Sequence, residues 1–331
     1  MKDNLPKGPF SFLLSWRPFP IYELVSYVLM FASVPMLAYG LHTYDWEIIK
    51  TIILTILALY SGFLAALIWN DITDIDIDAV VHPDRPLPRG RISSKKFFMV
   101  ALIFSAMTFT FSILVSIWCF ILVGAAALFV TFHNKYLKKI VKIPAYSEIF
   151  TPLQWVVVAI FGFLAIWTVL PQTADFIFTL PLFGTISTSG SEIQNMILLV
   201  LFTYLADNAH DLPEGIHDVE GDRKLGVKTY ATSFGEKTAA KISFSMFVLS
   251  GVLGVLLYIR TLLSPIFLVL FLIVWILTLR WYYKLLKFEE KDRAELGKIV
   301  GRKGYDYLLM VYNLVFLDVI LQVINFHYNI V

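Results

Sequence analysis

The 331-residue sequence contains one cysteine, Cys119. That excludes an intramolecular disulfide and any cysteine-built metal centre. Charge is also scarce: Asp, Glu, Lys and Arg make up 16% of the chain, where a soluble domain has about 25%. There is no Walker-type glycine loop, no dinucleotide glycine fingerprint, no plausible Ser–His–Asp set and no His-rich zinc spacing, which argues against ATP hydrolysis and zinc chemistry. The formal net charge of +2 gives no sign of a nucleic-acid partner. Residues Met1 to Phe19 carry prolines and no small-residue cleavage pattern, so no cleavable signal is expected.

What the chain has is apolar length. Hydrophobic residues make up 58% of it, and the mean hydropathy is +0.73. Runs of about 20 apolar residues span a bilayer. Nine are predicted: 21–42, 47–70, 96–116, 118–135, 147–169, 191–212, 239–260, 264–285 and 305–326. Residues 96–135 are too long for one span and are read as a tight hairpin. With the N-terminus cytoplasmic, all of the 27 Lys and Arg residues except Lys50 and Arg260 fall in cytoplasmic segments. Thr173 to Ser191, which has no Lys or Arg, is then external, as is the C-terminus after Lys303. No low-complexity linker interrupts the chain, so residues 1–331 are read as a single polytopic domain.

Carboxylates are costly beside apolar runs, yet two acidic stretches close such runs. The first is Asn70-Asp71-Ile-Thr-Asp74-Ile-Asp76-Ile-Asp78 after the second span. In a helix Asn70, Asp74 and Asp78 share one face, about 6 Å apart along the axis, while Asp76 lies about 200° from Asp74. The second stretch follows the sixth span and runs from Asp207 through Asp211, Glu214, Asp218 and Asp222 to Arg223-Lys224, with Pro213 expected to kink or interrupt the helix. The two stretches, four spans apart, leave on the same side of the membrane and form a weak internal repeat. Arg85 and Arg89 follow the first, Arg223 and Lys224 the second, and Lys138 and Lys139 close the fourth span. Carboxylates facing guanidinium and ammonium groups suit a metal-bridged polyanion, since magnesium binds through one or two carboxylates plus substrate phosphates. An isoprenoid diphosphate fits, its charged head at the cytoplasmic face and its tail between helices.

These segments resemble the UbiA-type family of intramembrane prenyltransferases. Asn70-Asp71…Asp74…Asp78 matches the family's NDxxDxxxD, and Asp218…Asp222 its DxxxD. Arg85-Pro-Leu-Pro-Arg-Gly-Arg-Ile-Ser93 is similar to RPLPxGxIS, and Asp218 to Thr229 to DxEGDRxxGxxT. The resemblance implies an all-α integral membrane protein with nine transmembrane helices around a central cavity. It also implies two Mg²⁺ ions as cofactors. Asn70, Asp71, Asp74 and Asp78 would serve one and Asp218 and Asp222 the other, with Arg85, Arg89, Lys138 and Arg223 on the diphosphate. A prenyl group would pass from the isoprenoid diphosphate to a lipophilic acceptor: an aromatic quinone precursor, an ether-lipid glycerol phosphate or a polyene. Beyond these substrates and membrane lipids, no obligate protein partner is expected. His82, His133 and Glu214 depart from the family pattern and bear on the acceptor. Asp207, Asn208, Asp211 and Glu214, with His210, are the expected acceptor-facing patch, because ionisable groups inside a membrane are functional candidates.

Two other readings remain open at this level. A UbiA-type terpene cyclase would use the same metal site with the substrate's own double bond as nucleophile. A cation-coupled transporter would place its acids near the bilayer midplane on interrupted helices, whereas here they fall at helix ends beside basic loops.

Overall fold

A computed structural model describes residues 19–81, 85, 87–90, 92–137, 140–169, 175–181, 184–289 and 292–328. Nine long helices run through the described residues. They are α1 (Ile21–Tyr39), α2 (Trp46–Thr73), α3 (Ser94–Val115), α4 (Ile117–Phe132), α5 (Leu153–Trp167), α6 (Gly190–His217), α7 (Glu236–Arg260), α8 (Pro265–Leu286) and α9 (Arg293–Tyr328). Eight are long and apolar enough to cross a membrane, counting α4 with the turn after it and α5 with the short helix before it. The exception is α6, whose apolar run is diluted by Gln194, Asn195, Asp207, Asn208 and His210. Its 28 residues still reach about 42 Å, more than a bilayer core.

Side-chain caps set the helix starts. Asp45, Ser93, Ser189 and Ser264 each accept a backbone N–H of the first turn of α2, α3, α6 and α8. The hairpin over 96–135 turns on one residue. Ser116 is extended (φ −169°, ψ 158°), gives its N–H to Ser112 and accepts from Cys119 N at 3.1 Å. The short break is enough because Ser116 satisfies backbone groups of both helices.

In lipid, helices associate through close packing and polar contacts rather than burial from water. α2 lies against α3, α6 against α5, α7 and α9, and α9 returns to α1. Arg302 of α9 reaches Glu23 of α1 at 2.8 Å, and Glu23 also accepts from Tyr27 at 2.6 Å. Glycines permit the tightest approach of α9 to α6. A Cβ at Gly297 would stand 2.6 Å from Pro213 O, and one at Gly301 2.5 Å from Glu214 Cγ.

Two expectations change. Residues 173–191 are not only loop: Phe176–Leu180 and Gly184–Thr188 pair as an antiparallel hairpin. Aromatic and β-branched residues at 176–179 favour that conformation, and Gly184 supplies a left-handed φ of +81° at the turn. Pro213 does not interrupt α6, which continues to His217. The neighbouring helices hold it through the position where one backbone hydrogen bond is lost.

Candidate active site

The two acidic stretches have matching backbones. α2 and α6 are each 28 residues long, and each ends on an aspartate: Asp74 at φ −100°, ψ 14° and Asp218 at φ −90°, ψ 1°. A seven-residue helix follows each, Ile75–Val81 and Val219–Leu225. The four-residue spacing survives the break, since Asp74 N bonds Asn70 O at 2.9 Å and Asp78 N bonds Asp74 O at 2.8 Å. The second copy repeats this, with Asp218 N on Glu214 O at 2.9 Å and Asp222 N on Asp218 O at 3.0 Å. The two short helices pack against each other, which brings together halves far apart in sequence.

Asp71, Asp74 and Asp78 are buried, whereas Asp76 is exposed, as the helical phase requires. Asp218 and Asp222 are half-buried. A helix C-terminus carries partial negative charge, so carboxylates there need cationic compensation. Arg85 supplies part of it: its Nη1 lies 2.7 and 2.6 Å from the two oxygens of Asp78 and 3.6 Å from Asp71. The loop that carries Arg85 is pinned by Leu87, which is buried with Leu64, Ile68, Phe97 and Ala101.

Asn70 is oriented from another helix. α4 ends in a π-helical turn, His133–Leu137, a geometry frequent at functional sites. It sends Asn134 Nδ2 to Asn70 Oδ1 at 3.2 Å and buries His133 against Tyr146, ring centroids 5.3 Å apart. Asn70 and the aspartates offer only oxygen ligands, the type that a hard divalent cation such as Mg²⁺ takes, but their carboxylates do not close into a three-ligand cluster among the described residues.

The predicted phosphate ligands are scattered. Arg85 is at the site. Arg89 is exposed in the turn over 87–90, where Gly90 takes φ +66°. Arg223 is exposed and donates to Glu236 of α7 at 2.9 Å. Lys138, like His82, lies outside the described residues.

The expected acceptor patch divides. Asp207 and Asn208 are fully buried, Asp211 is half-buried and Glu214 is exposed. His210 Nε2 lies 2.8 Å from Asp207 Oδ1, and its Nδ1 lies 3.5 Å from Asp211 Oδ1. Sequence reasoning missed Glu148, which is buried, accepts the backbone N–H of Tyr230 and lies within electrostatic range of Asp211 and Asp222. The available signal was a lone carboxylate inside an apolar run.

Known proteins resemble this chain in sequence and in fold. Residues 28–298 match the UbiA prenyltransferase family. A digeranylgeranylglyceryl phosphate synthase from Methanobrevibacter smithii is 30% identical over 214 residues, 63% of this chain and 67% of that protein. One from Sulfolobus acidocaldarius is 26% identical over 194 residues, 58% of this chain and 61% of that protein. The match thus spans about three fifths to two thirds of the length of these curated relatives. Among solved structures, a UbiA homologue from Aeropyrum pernix superposes with a TM-score of 0.62 at 18% identity, covering 87% of this chain and 98% of that one. A homologue from Archaeoglobus fulgidus, bound to GPP and Mg²⁺, gives 0.55 at 13% identity, covering 91% and 99%. With the family's model matched over most of its length, this chain belongs to the UbiA prenyltransferase family.

Proposed function

We propose that this chain transfers a prenyl group from an isoprenoid diphosphate to the hydroxyl of a membrane-embedded acceptor, a glycerol-phosphate ether lipid being the acceptor class that its relatives' names favour. The observation that carries the proposal is the duplicated helix end, Asp74 with Asp78 and Asp218 with Asp222, joined where the two short helices meet. Asn70, Asp74 and Asp78, with Asp71 alongside, would hold one Mg²⁺, and Asp218 and Asp222 a second. When bound, Mg²⁺ neutralises the diphosphate and stabilises it as a leaving group.

The chain's own groups do the rest. Arg85 exchanges Asp78 for phosphate oxygens, and its planar fork suits that anion. Arg89, four residues after Arg85, and Lys138, four residues after Asn134, would add charge, while Arg223 must first leave Glu236. The allylic C–O bond breaks with its electron pair going to the diphosphate. The acceptor oxygen bonds the allylic carbon and passes its proton to the released diphosphate. Asp207, Asn208, Asp211 and Glu214 line the acceptor side in this reading, and the apolar helices exclude water from the allylic cation. The whole chain acts as one membrane unit, with the N-terminus and both acidic helix ends cytoplasmic and the C-terminus external.

Purified protein incubated with C10 to C20 prenyl diphosphates, Mg²⁺ and a geranylgeranylated glycerol phosphate should yield a doubly prenylated product by mass spectrometry. A cyclised prenyl product formed without acceptor identifies the cyclase instead. Undiminished turnover in excess chelator contradicts the Mg²⁺ assignment.

A further inference from the structure

We propose that His210, Asp211 and Glu214, on the acceptor side, form a divalent-cation site distinct from the two aspartate-rich helix ends, of a kind that takes a first-row transition ion such as Mn²⁺, Fe²⁺ or Co²⁺ in preference to Mg²⁺. One donor atom from each lies within 4.8 Å of the others. Ligands about 2.1 Å from a shared ion sit roughly 3–4 Å apart, so a small contraction closes the set. An imidazole nitrogen in the set moves its preference away from Mg²⁺, which is bound by oxygen.

The acids alone would not make a site; the orientation of His210 does. His210 is buried, and its Nε2 faces Asp207 Oδ1 at 2.8 Å. With the ring proton on Nε2 toward Asp207, Nδ1 is the nitrogen left to ligate an ion. Nδ1 is turned toward Asp211 Oδ1 at 3.5 Å and has no hydrogen-bond partner among the described residues. Asp211 Oδ2 is likewise buried without a partner there. A divalent cation among Nδ1 and the Asp211 and Glu214 carboxylates would compensate these buried polar atoms. A carboxylate that holds the far nitrogen of a ligating histidine is the usual outer support of such a site, and Asp207 occupies that position.

The neighbouring helices support the same conclusion. Tyr282 of α8 is fully buried, its hydroxyl has no partner among the described residues, and it lies within electrostatic range of Asp207, Asp211 and Glu214. Gly301 and Gly304 of α9 pass Glu214 and His210 so closely that a Cβ would collide with each. Glu214 is exposed, which leaves the cluster a route of entry.

The site stands whether or not the chain is a prenyltransferase, so its test reads metal rather than turnover. Full-length protein in detergent is stripped with chelator, held in excess Mg²⁺ to occupy the aspartate-rich helix ends, and titrated with Co²⁺. Bound cobalt is counted by mass spectrometry, and its visible absorption reports nitrogen ligation. One equivalent of Co²⁺ should remain bound in the wild type and in Asp74→Asn and Asp218→Asn. His210→Gln and Glu214→Gln should lose it, and Asp207→Asn should weaken it by about 10–100-fold. Glu214 is exposed, so its variant tests the site even if His210→Gln does not fold. No Mg²⁺-resistant cobalt in the wild type, as expected of a protonated imidazole alone, would overturn the proposal. So would retention of the equivalent in folded Glu214→Gln.

Discussion

Asp74 and Asp218 occupy one position in two copies of the same structural unit. Each closes a 28-residue helix with nearly the same φ and ψ, and each starts a seven-residue helix. The carbonyl of each also accepts the N–H of another aspartate four residues on, Asp78 and Asp222. The repeat is structural, and the two short helices that follow these aspartates pack against each other.

This equivalence gives the first prediction. Asp74→Ala and Asp218→Ala should each reduce diphosphate release by more than about 100-fold, since each removes charge stabilisation at the reacting bond. The exposed Asp76→Ala should stay within about twofold of wild type, as surface substitutions away from a site do. Release is followed with labelled prenyl diphosphate, and thermal unfolding in detergent checks the fold. Near-normal activity in Asp218→Ala would remove the second helix end from the site.

The pairing of Arg85 with Asp78 gives the second. Hydrogen bonds to charged groups contribute about 1.5–3 kcal/mol each, so Arg85→Ala should raise the KM for prenyl diphosphate roughly 10–100-fold. Arg85→Lys should restore only part of this, because a point charge replaces a planar fork. Steady-state kinetics decide it, and an unchanged KM in Arg85→Ala would mean that the guanidinium serves Asp78 alone.

Packing of α9 on α6 gives the third. A Cβ at residue 297 meets Pro213 O, a backbone atom that cannot rotate away. Gly297→Ala should therefore cost about 1–3 kcal/mol and lower the unfolding temperature by several degrees. Gly124→Ala, where a Cβ meets nothing within 4 Å, is the control and should not destabilise. Equal unfolding temperatures for the two would show that α9 does not seat as described.

Membrane orientation gives the fourth. The native Cys119 is buried and should label poorly. An impermeant thiol reagent applied to intact cells should then label Thr185→Cys in the hairpin and spare Glu220→Cys. Both positions are exposed in the fold, so the membrane alone separates them. The opposite pattern reverses the orientation.

The sequence by itself determined the membrane class, most of the membrane-spanning helices and the acidic helix ends. Apolar run length, basic-residue placement and four-residue spacing are local properties, legible wherever helical period governs. It also determined that Asp76 faces away from Asp74. Long-range contacts are not local, and tertiary structure decided them. It joined Ile75–Val81 to Val219–Leu225, sent Asn134 to Asn70, and tied Arg223 to Glu236 rather than to the acids. It kept α6 whole through Pro213, because neighbouring helices outweigh one lost hydrogen bond. It also turned His210 so that Nε2 meets Asp207 and Nδ1 faces Asp211, a choice fixed by packing around the ring rather than by residue spacing.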